Sequence, residues 1–258
     1  MKYVDSHSHW NQFKDQGLEE RLQRCLAKGI DFFLQGGINP GEWELQQALH
    51  KKYPQHFGLS FGLHPYFVSD ADIETCETAL DQLAGLLPKA MALGEAGLDF
   101  RPHIMKESQS LQIEMFENQI ELAKAFEKPM VLHLVQAHEK AVQIFDLWDA
   151  PARGGMVHAF SGSFETAKKY IDRGFLISVG GAATYAKNHK LQDCLKKIPM
   201  EYLLIESDAP DQAPEGWSGP NESTSIYNVA ESIALIRNIS AFDVLEVGTS
   251  NFKRLFRL

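Results

Sequence analysis

The sequence predicts a closed (β/α)8 barrel, and three observations point there. Eight short apolar or β-branched runs alternate with amphipathic segments along 258 residues. Such alternation implies parallel strands joined by right-handed helical crossovers, and this length suits a barrel better than an open sheet. Ligand-type side chains recur at the ends of the runs, where barrel strands deliver their chemistry to a common mouth. A single domain spanning residues 1–258 is expected.

The first strand, residues 3–9, ends in Ser6-His7-Ser8-His9. Strands repeat every two residues, so His7 and His9 project from the same face. Residues 19–29 read as a helix with Leu22, Cys25 and Leu26 on one side and Gly29 at its end. Strands 32–36 and 57–63 follow; Gly36-Gly37 ends the former as a turn, and His64-Pro65 follows the latter. Strand 90–95 carries Ala92-Leu93-Gly94-Glu95, and an amphipathic helix runs over 109–126. Strands 129–134 and 155–160 are apolar runs leading to His133 and His158. Ser161 and Ser163 are placed to cap the helix at 165–173, and strand 175–179 ends at Gly180-Gly181. Strand 203–207 delivers Glu206 and Asp208 to the start of a long loop, 208–223, rich in proline and glycine. That loop falls on the side where barrel enzymes keep their active sites. Ser240 is expected to cap a last helix over 240–258.

A His-x-His pair alone is a weak signal, and so is any one strand-end histidine. The conjunction is stronger. Glu95 follows apolar residues, where an unpaired carboxylate is costly to bury. In a barrel, His7, His9, Glu95, His133, His158 and Asp208 converge on one space. Four imidazoles and two carboxylates exceed the needs of one four-coordinate ion and suit two divalent ions sharing a carboxylate. The nitrogen-rich set favours zinc or manganese over magnesium.

Taken together, the segments resemble the TatD family of metal-dependent hydrolases, among the amidohydrolase-like barrels. The matching stretches are Val4-Asp5-Ser6-His7-Ser8-His9, Gly62-Leu63-His64-Pro65, Gly94-Glu95-Ala96-Gly97-Leu98-Asp99, Leu132-His133, Val157-His158-Ala159-Phe160-Ser161-Gly162-Ser163 and Ile205-Glu206-Ser207-Asp208-Ala209-Pro210. By this resemblance His7, His9, Glu95 and Asp208 hold one ion, and Glu95, His133 and His158 the other. Glu95 and Asp208 are then catalytic, Asp208 to accept or orient the proton of an attacking water and His64 to contact substrate, and the activity implied is that of a deoxyribonuclease, with 3′-end attack on single-stranded DNA shown for some members. Departures bear on phosphate recognition. His133-Leu134-Val135-Gln136 lacks an arginine that relatives carry, and Ser218-Gly219-Pro220-Asn221 lacks another, leaving Asn221 as the substrate contact there. A third family arginine has its counterpart in Arg101. Because arginine grips phosphate oxygens with a planar fork, the losses raise a second reading, a small-molecule amidohydrolase or esterase using the same centre. A metal-binding protein without catalysis is a third.

Composition narrows the classes. The net charge of −9 argues against a broad basic nucleic-acid face, although bound cations can supply positive charge locally. The sequence contains no run of about 18 apolar residues, the length needed to span a membrane. No export leader is expected, and Cys25, Cys76 and Cys194 read as reduced thiols of a cytoplasmic protein. The expected partner is DNA or another phosphoester substrate, with no obligate protein partner and a monomeric state. Trp10, Tyr66 and Trp217 read as rim packing, with base stacking as the alternative, and His138 reads as a surface residue.

Overall fold

The structure, a computed structural model, describes residues 2–13 and 17–258. Among these, eight strands run in chain order around one parallel sheet. They are β1 (Tyr3–Ser8), β2 (Ile30–Gln35), β3 (Phe57–Phe61), β4 (Ala92–Asp99), β5 (Met130–Val135), β6 (Gly155–Val157), β7 (Phe175–Val179) and β8 (Leu203–Ile205). Each pairs with the next, and backbone bonds just past β8 close the circle. Asp208 N donates to His7 O at 3.0 Å and His9 N to Ala209 O at 2.7 Å. The buried Asp5 carboxylate reinforces the seam by accepting from Ser207 N at 2.8 Å and Ser207 Oγ at 2.6 Å. The architecture is the (β/α)8 barrel that the sequence predicts.

Two apolar layers hold it. Val4, Phe32, Leu34, Ala92, Val131, Met156, Leu176 and Leu204 fill the barrel, joined at the strands' N-terminal ends by Phe252, Leu255 and Phe256 of the last helix. A larger layer, including Leu22, Phe33, Trp43, Phe57, Phe116 and Phe175, lies between strands and outer helices. Each such side chain contributes roughly 1.5–3 kcal/mol on burial. Trp10 belongs to this layer, against Phe33 and Phe57, with its Nε1 donating to Ser223 Oγ at 3.2 Å.

The expected helices form at Leu18–Ala27, Gln109–Ala125, Phe164–Ile171 and Ala241–Phe256. Ser163 caps the third and Ser240 closes a capping box on the fourth. His138 is a correction. It begins the helix His138–Trp148 half-buried, its Nδ1 3.0 Å from Tyr170 Oη and its ring against Phe160. Cys25, Cys76 and Cys194 are buried and free. Among the described residues no helix is long and apolar enough to cross a membrane.

Strand ends also differ from the sequence reading. β4 runs to Asp99, whereas β6 stops at Val157 and β8 at Ile205. After β6 and β8 the chain turns through the left-handed region at Ala159 (φ 47°) and Asp208 (φ 53°). Those turns leave His158 and Asp208 facing the mouth.

Candidate metal centre

β1 pairs with β2 in a register that shifts between Asp5 and Ser8. Beyond that irregularity His7 and His9 both turn inward. His7 Nε2 lies 3.2 Å from Glu95 Oε1 and 3.6 Å from Asp208 Oδ1; His9 Nε2 is 3.3 Å from each. A tetrahedral ion with bonds of about 2.0–2.1 Å requires ligand atoms about 3.3–3.4 Å apart. His7 Nε2, Glu95 Oε1 and Asp208 Oδ1 are buried and have no hydrogen-bond partner in the protein. Buried polar atoms left unpaired are costly, and an ion among them removes that cost. Gly36 supplies the room, since a Cβ there would come within 2.4 Å of His7 Cε1 and 2.7 Å of Glu95 Oε1.

The other carboxylate oxygen of Glu95 faces a second group. Oε2 lies 2.9 Å from His158 Nε2 and 3.7 Å from His133 Nδ1, and those two nitrogens are 3.2 Å apart. Thus the structure brings all six expected ligand residues together around Glu95. His64 joins them, its Nε2 3.8 Å from Glu95 Oε2.

Acceptors stand behind three of the imidazoles. His9 Nδ1 is 3.1 Å from Gly36 O, His133 Nε2 is 3.2 Å from Asp99 Oδ2, and His158 Nδ1 is 3.6 Å from Glu206 Oε1. An acceptor there fixes the tautomer and leaves the front nitrogen's lone pair for an ion. Asp99 also takes the Arg101 fork, with Nε 3.0 Å from Oδ1 and Nη2 2.5 Å from Oδ2. Glu206 accepts from Ala159 N at 2.5 Å and from Ser178 Oγ. Sequence reasoning assigned neither Asp99 nor Glu206 a role, although both are acids at strand ends beside assigned ligands.

The charge balance calls for cations. Burial alone would raise the Glu95 carboxyl, but His7, His158 and His9 outweigh it and hold its pKa well below the ordinary value. Asp208 is lowered in the same way, burial being overcome by His9, whose Nε2 is 3.3 Å away, and by His158 and His7. Burial works against a proton on His9, yet Glu95 and Asp208 raise its pKa to about 9. His158 is raised well above the ordinary value, with burial overcome by Glu95 and Glu206. Two ionised carboxylates surrounded by imidazoles bind either protons or metal ions; the two compete.

Above the cluster lies a cavity of about 370 Å³. Gln12, Ile38, Tyr66, Asp211 and Gln212 form its rim, and no lysine or arginine is among the described residues lining it. Gln212 Nε2 donates to Asp208 Oδ2 at 2.5 Å. Arg101 stands beside the rim, its Nη2 2.5 Å from Tyr66 Oη. Asn221 does not line the cavity. Its Nδ2 donates to Ser207 O at 2.7 Å and Asp211 O at 2.6 Å, and its Oδ1 accepts from Glu222 N at 2.9 Å. Trp217 Nε1 donates to Pro220 O at 3.1 Å within the same loop.

Comparison with known proteins places the chain. A family model described as TatD related DNase matches residues 4–257. The metal-dependent hydrolase YabD of Bacillus subtilis is 32% identical over 256 residues, covering 98% of each chain. A protein of Erwinia tasmaniensis named as the 3′-5′ ssDNA/RNA exonuclease TatD is 28% identical over 243 residues, covering 92% of each. The crystal structure of YJJV, a TatD homologue from Escherichia coli K12, superposes with a TM-score of 0.90 at 29% identity, covering 100% of this chain and 98% of that one. Fold, clustered ligands and family match agree, and the chain belongs to the TatD family of metal-dependent hydrolases.

Proposed function

We propose that this hydrolase cleaves phosphodiesters, with DNA as substrate, removing nucleotides from the 3′ end of single strands. The observation that carries the reading is that the two oxygens of Glu95 face two separate ligand groups. With Oε1, His7, His9 and Asp208 would hold one divalent ion; with Oε2, His133 and His158 would hold a second. Zinc, manganese and magnesium are the candidates, and the imidazole-rich set favours the first two. Bound there, the ions would lower the pKa of water and offset charge on a phosphoryl oxygen. Asp208, kept ionised by the surrounding histidines, accepts the water's proton, while Gln212 fixes its carboxylate plane. His64 contacts the substrate, and Asn221 holds the loop that carries Asp208.

Support for the polarity comes from the Erwinia relative, which is named for 3′-5′ action on single-stranded nucleic acid. The cavity, about 370 Å³, falls within the range of roughly 300–1,000 Å³ typical of small-ligand pockets and suits a strand end. Buried free cysteines suit a reducing compartment, and we place the protein in the cytoplasm as a monomer.

The test is hydrolysis of a 3′- or 5′-labelled single-stranded oligonucleotide by metal-stripped protein reloaded with Mg²⁺, Mn²⁺ or Zn²⁺. Metal-dependent shortening that disappears in Asp208→Asn is expected, and the label gives the polarity. A second reading, hydrolysis of a small ester or amide, is favoured by the absence of lysine and arginine from the described cavity lining. It would replace the first if no oligonucleotide is cut while small esters or amides are turned over.

A further inference from the structure

We infer that His64 is a neutral hydrogen-bond donor to a substrate oxygen and not a metal ligand, its ring held in that tautomer by the backbone of the following residue. The inference deepens the hydrolase reading above and rests on it for the identity of the oxygen. Distance alone does not separate His64 from the ligands. With Glu95 and His133 it forms a group whose ligand atoms all lie within 4.8 Å of one another, as metal-binding groups do. Its ring packs edge-on to His133 at 4.1 Å between centroids.

What separates it is the group behind the ring. Gly36 O, Asp99 and Glu206 are acceptors behind His9, His133 and His158. Gly36 O and Asp99 lie at hydrogen-bond distance, each able to take an N–H and leave the opposite nitrogen a lone pair, and Glu206 presents an oxygen 3.6 Å from His158 Nδ1. Behind His64 stands a donor instead, since Tyr66 N–H points at Nδ1 with a separation of 3.0 Å. His64 sits immediately before the helix Pro65–Asp70, and its side chain caps that helix through Nδ1. A ring nitrogen that accepts a hydrogen bond must keep its lone pair, so the proton of the neutral ring resides on Nε2. Nε2 is the atom that faces Glu95, and His64 is among the residues lining the cavity. Presenting N–H, it has no lone pair to give an ion.

A neutral Nε2–H is a poor acid, since proton loss would leave an imidazolate. Its part is therefore to hold and polarise an oxygen, not to protonate a leaving group. Such a group discriminates between substrates that place an oxygen against it and those that do not.

Two measurements test this. In long-range ¹H–¹⁵N correlation spectra of histidine-labelled protein, His64 is identified by the signal lost in His64→Gln. It should show the Nε2–H tautomer both metal-free and zinc-loaded; an Nδ1–H form, or a zinc-shifted Nε2, overturns the inference. The second measurement pairs metal content with kinetics on bis(p-nitrophenyl) phosphate. His64→Ala should retain the wild-type metal content and lose kcat by about 10²-fold, the scale set by removing one preorganised donor. His64→Gln, whose amide N–H₂ reaches the position of Nε2, should recover most of it, whereas His64→Asn should not. A fall in metal content, or unchanged kcat in His64→Ala, overturns it. Should the wild type cleave no phosphodiester, the functional reading fails, while the tautomer and metal content still decide between donor and ligand.

Discussion

Gly36 shows how tightly individual residues constrain the ligand cluster. Its carbonyl accepts from His9 Nδ1 and from Gln46 Nε2, so the backbone cannot move away to admit a side chain. Gly36→Ala, placing a methyl 2.4 Å from His7 Cε1, is expected to fold normally and to bind metal at least about tenfold more weakly, read by competition with a chromogenic chelator. Asp99 acts at one remove. Asp99→Ala removes the acceptor behind His133 and should weaken metal binding by about 10–100-fold, the usual scale for groups supporting a ligand. Arg101→Ala leaves that acceptor in place and serves as the control; equal losses in both variants would refute the assignment. The six candidate ligand residues were legible in the sequence because each lies near the end of an apolar run, and a barrel gathers such ends. Gln212, the wiring of His64 and the Arg101–Asp99 pairing were not, because each depends on which neighbour the folded chain presents.

At the level of elements, β4 is the instructive case. The sequence reading ended this strand at Glu95, whereas it continues to Asp99 with Gly94 and Gly97 inside it. In the structure both glycines face close backbone, and a Cβ on Gly97 would fall 2.0 Å from His133 O. They permit the tight pairing with β5 that carries Asp99 to a place behind His133. The short β6 and β8 depend on left-handed turns that periodicity does not reveal. The helix His138–Trp148 carries a separate prediction. Burial, aided by Lys190, lowers the His138 pKa from 6.5 to about 4. The unfolded chain binds that proton from about pH 6.5 downward and the folded chain resists it. Its stabilising contribution is therefore complete above pH 6.5 and is lost as pH falls through 4. At one pKa unit per 1.36 kcal/mol, the loss is at most about 3 kcal/mol. Urea denaturation of wild type and His138→Gln at pH 7 and pH 4.5 checks it: the gap between them should narrow or reverse toward acid, and a constant gap would disprove the role.

For the whole molecule, the clustered ligands couple metal binding to folding. An ion that binds only the native barrel stabilises it by about 2.7 kcal/mol at a concentration 100 times its dissociation constant. For a chain of this size that raises Tm by roughly 5–10 °C, a shift chelator should reverse and Glu95→Ala should abolish. Net charge was a poor guide at this scale. The value of −9 sums over the whole chain, buried Asp5, Glu95, Asp99, Glu206 and Asp208 included, whereas the arrangement of buried imidazoles and carboxylates determines what the mouth attracts. Anomalous diffraction at the manganese or zinc edge, from crystals loaded with that ion, tests the centre most directly. Two peaks flanking the Glu95 carboxylate, one among His7, His9 and Asp208 and one between His133 and His158, are predicted. A single peak, or a second ion bound by His64, would contradict the shared-carboxylate centre.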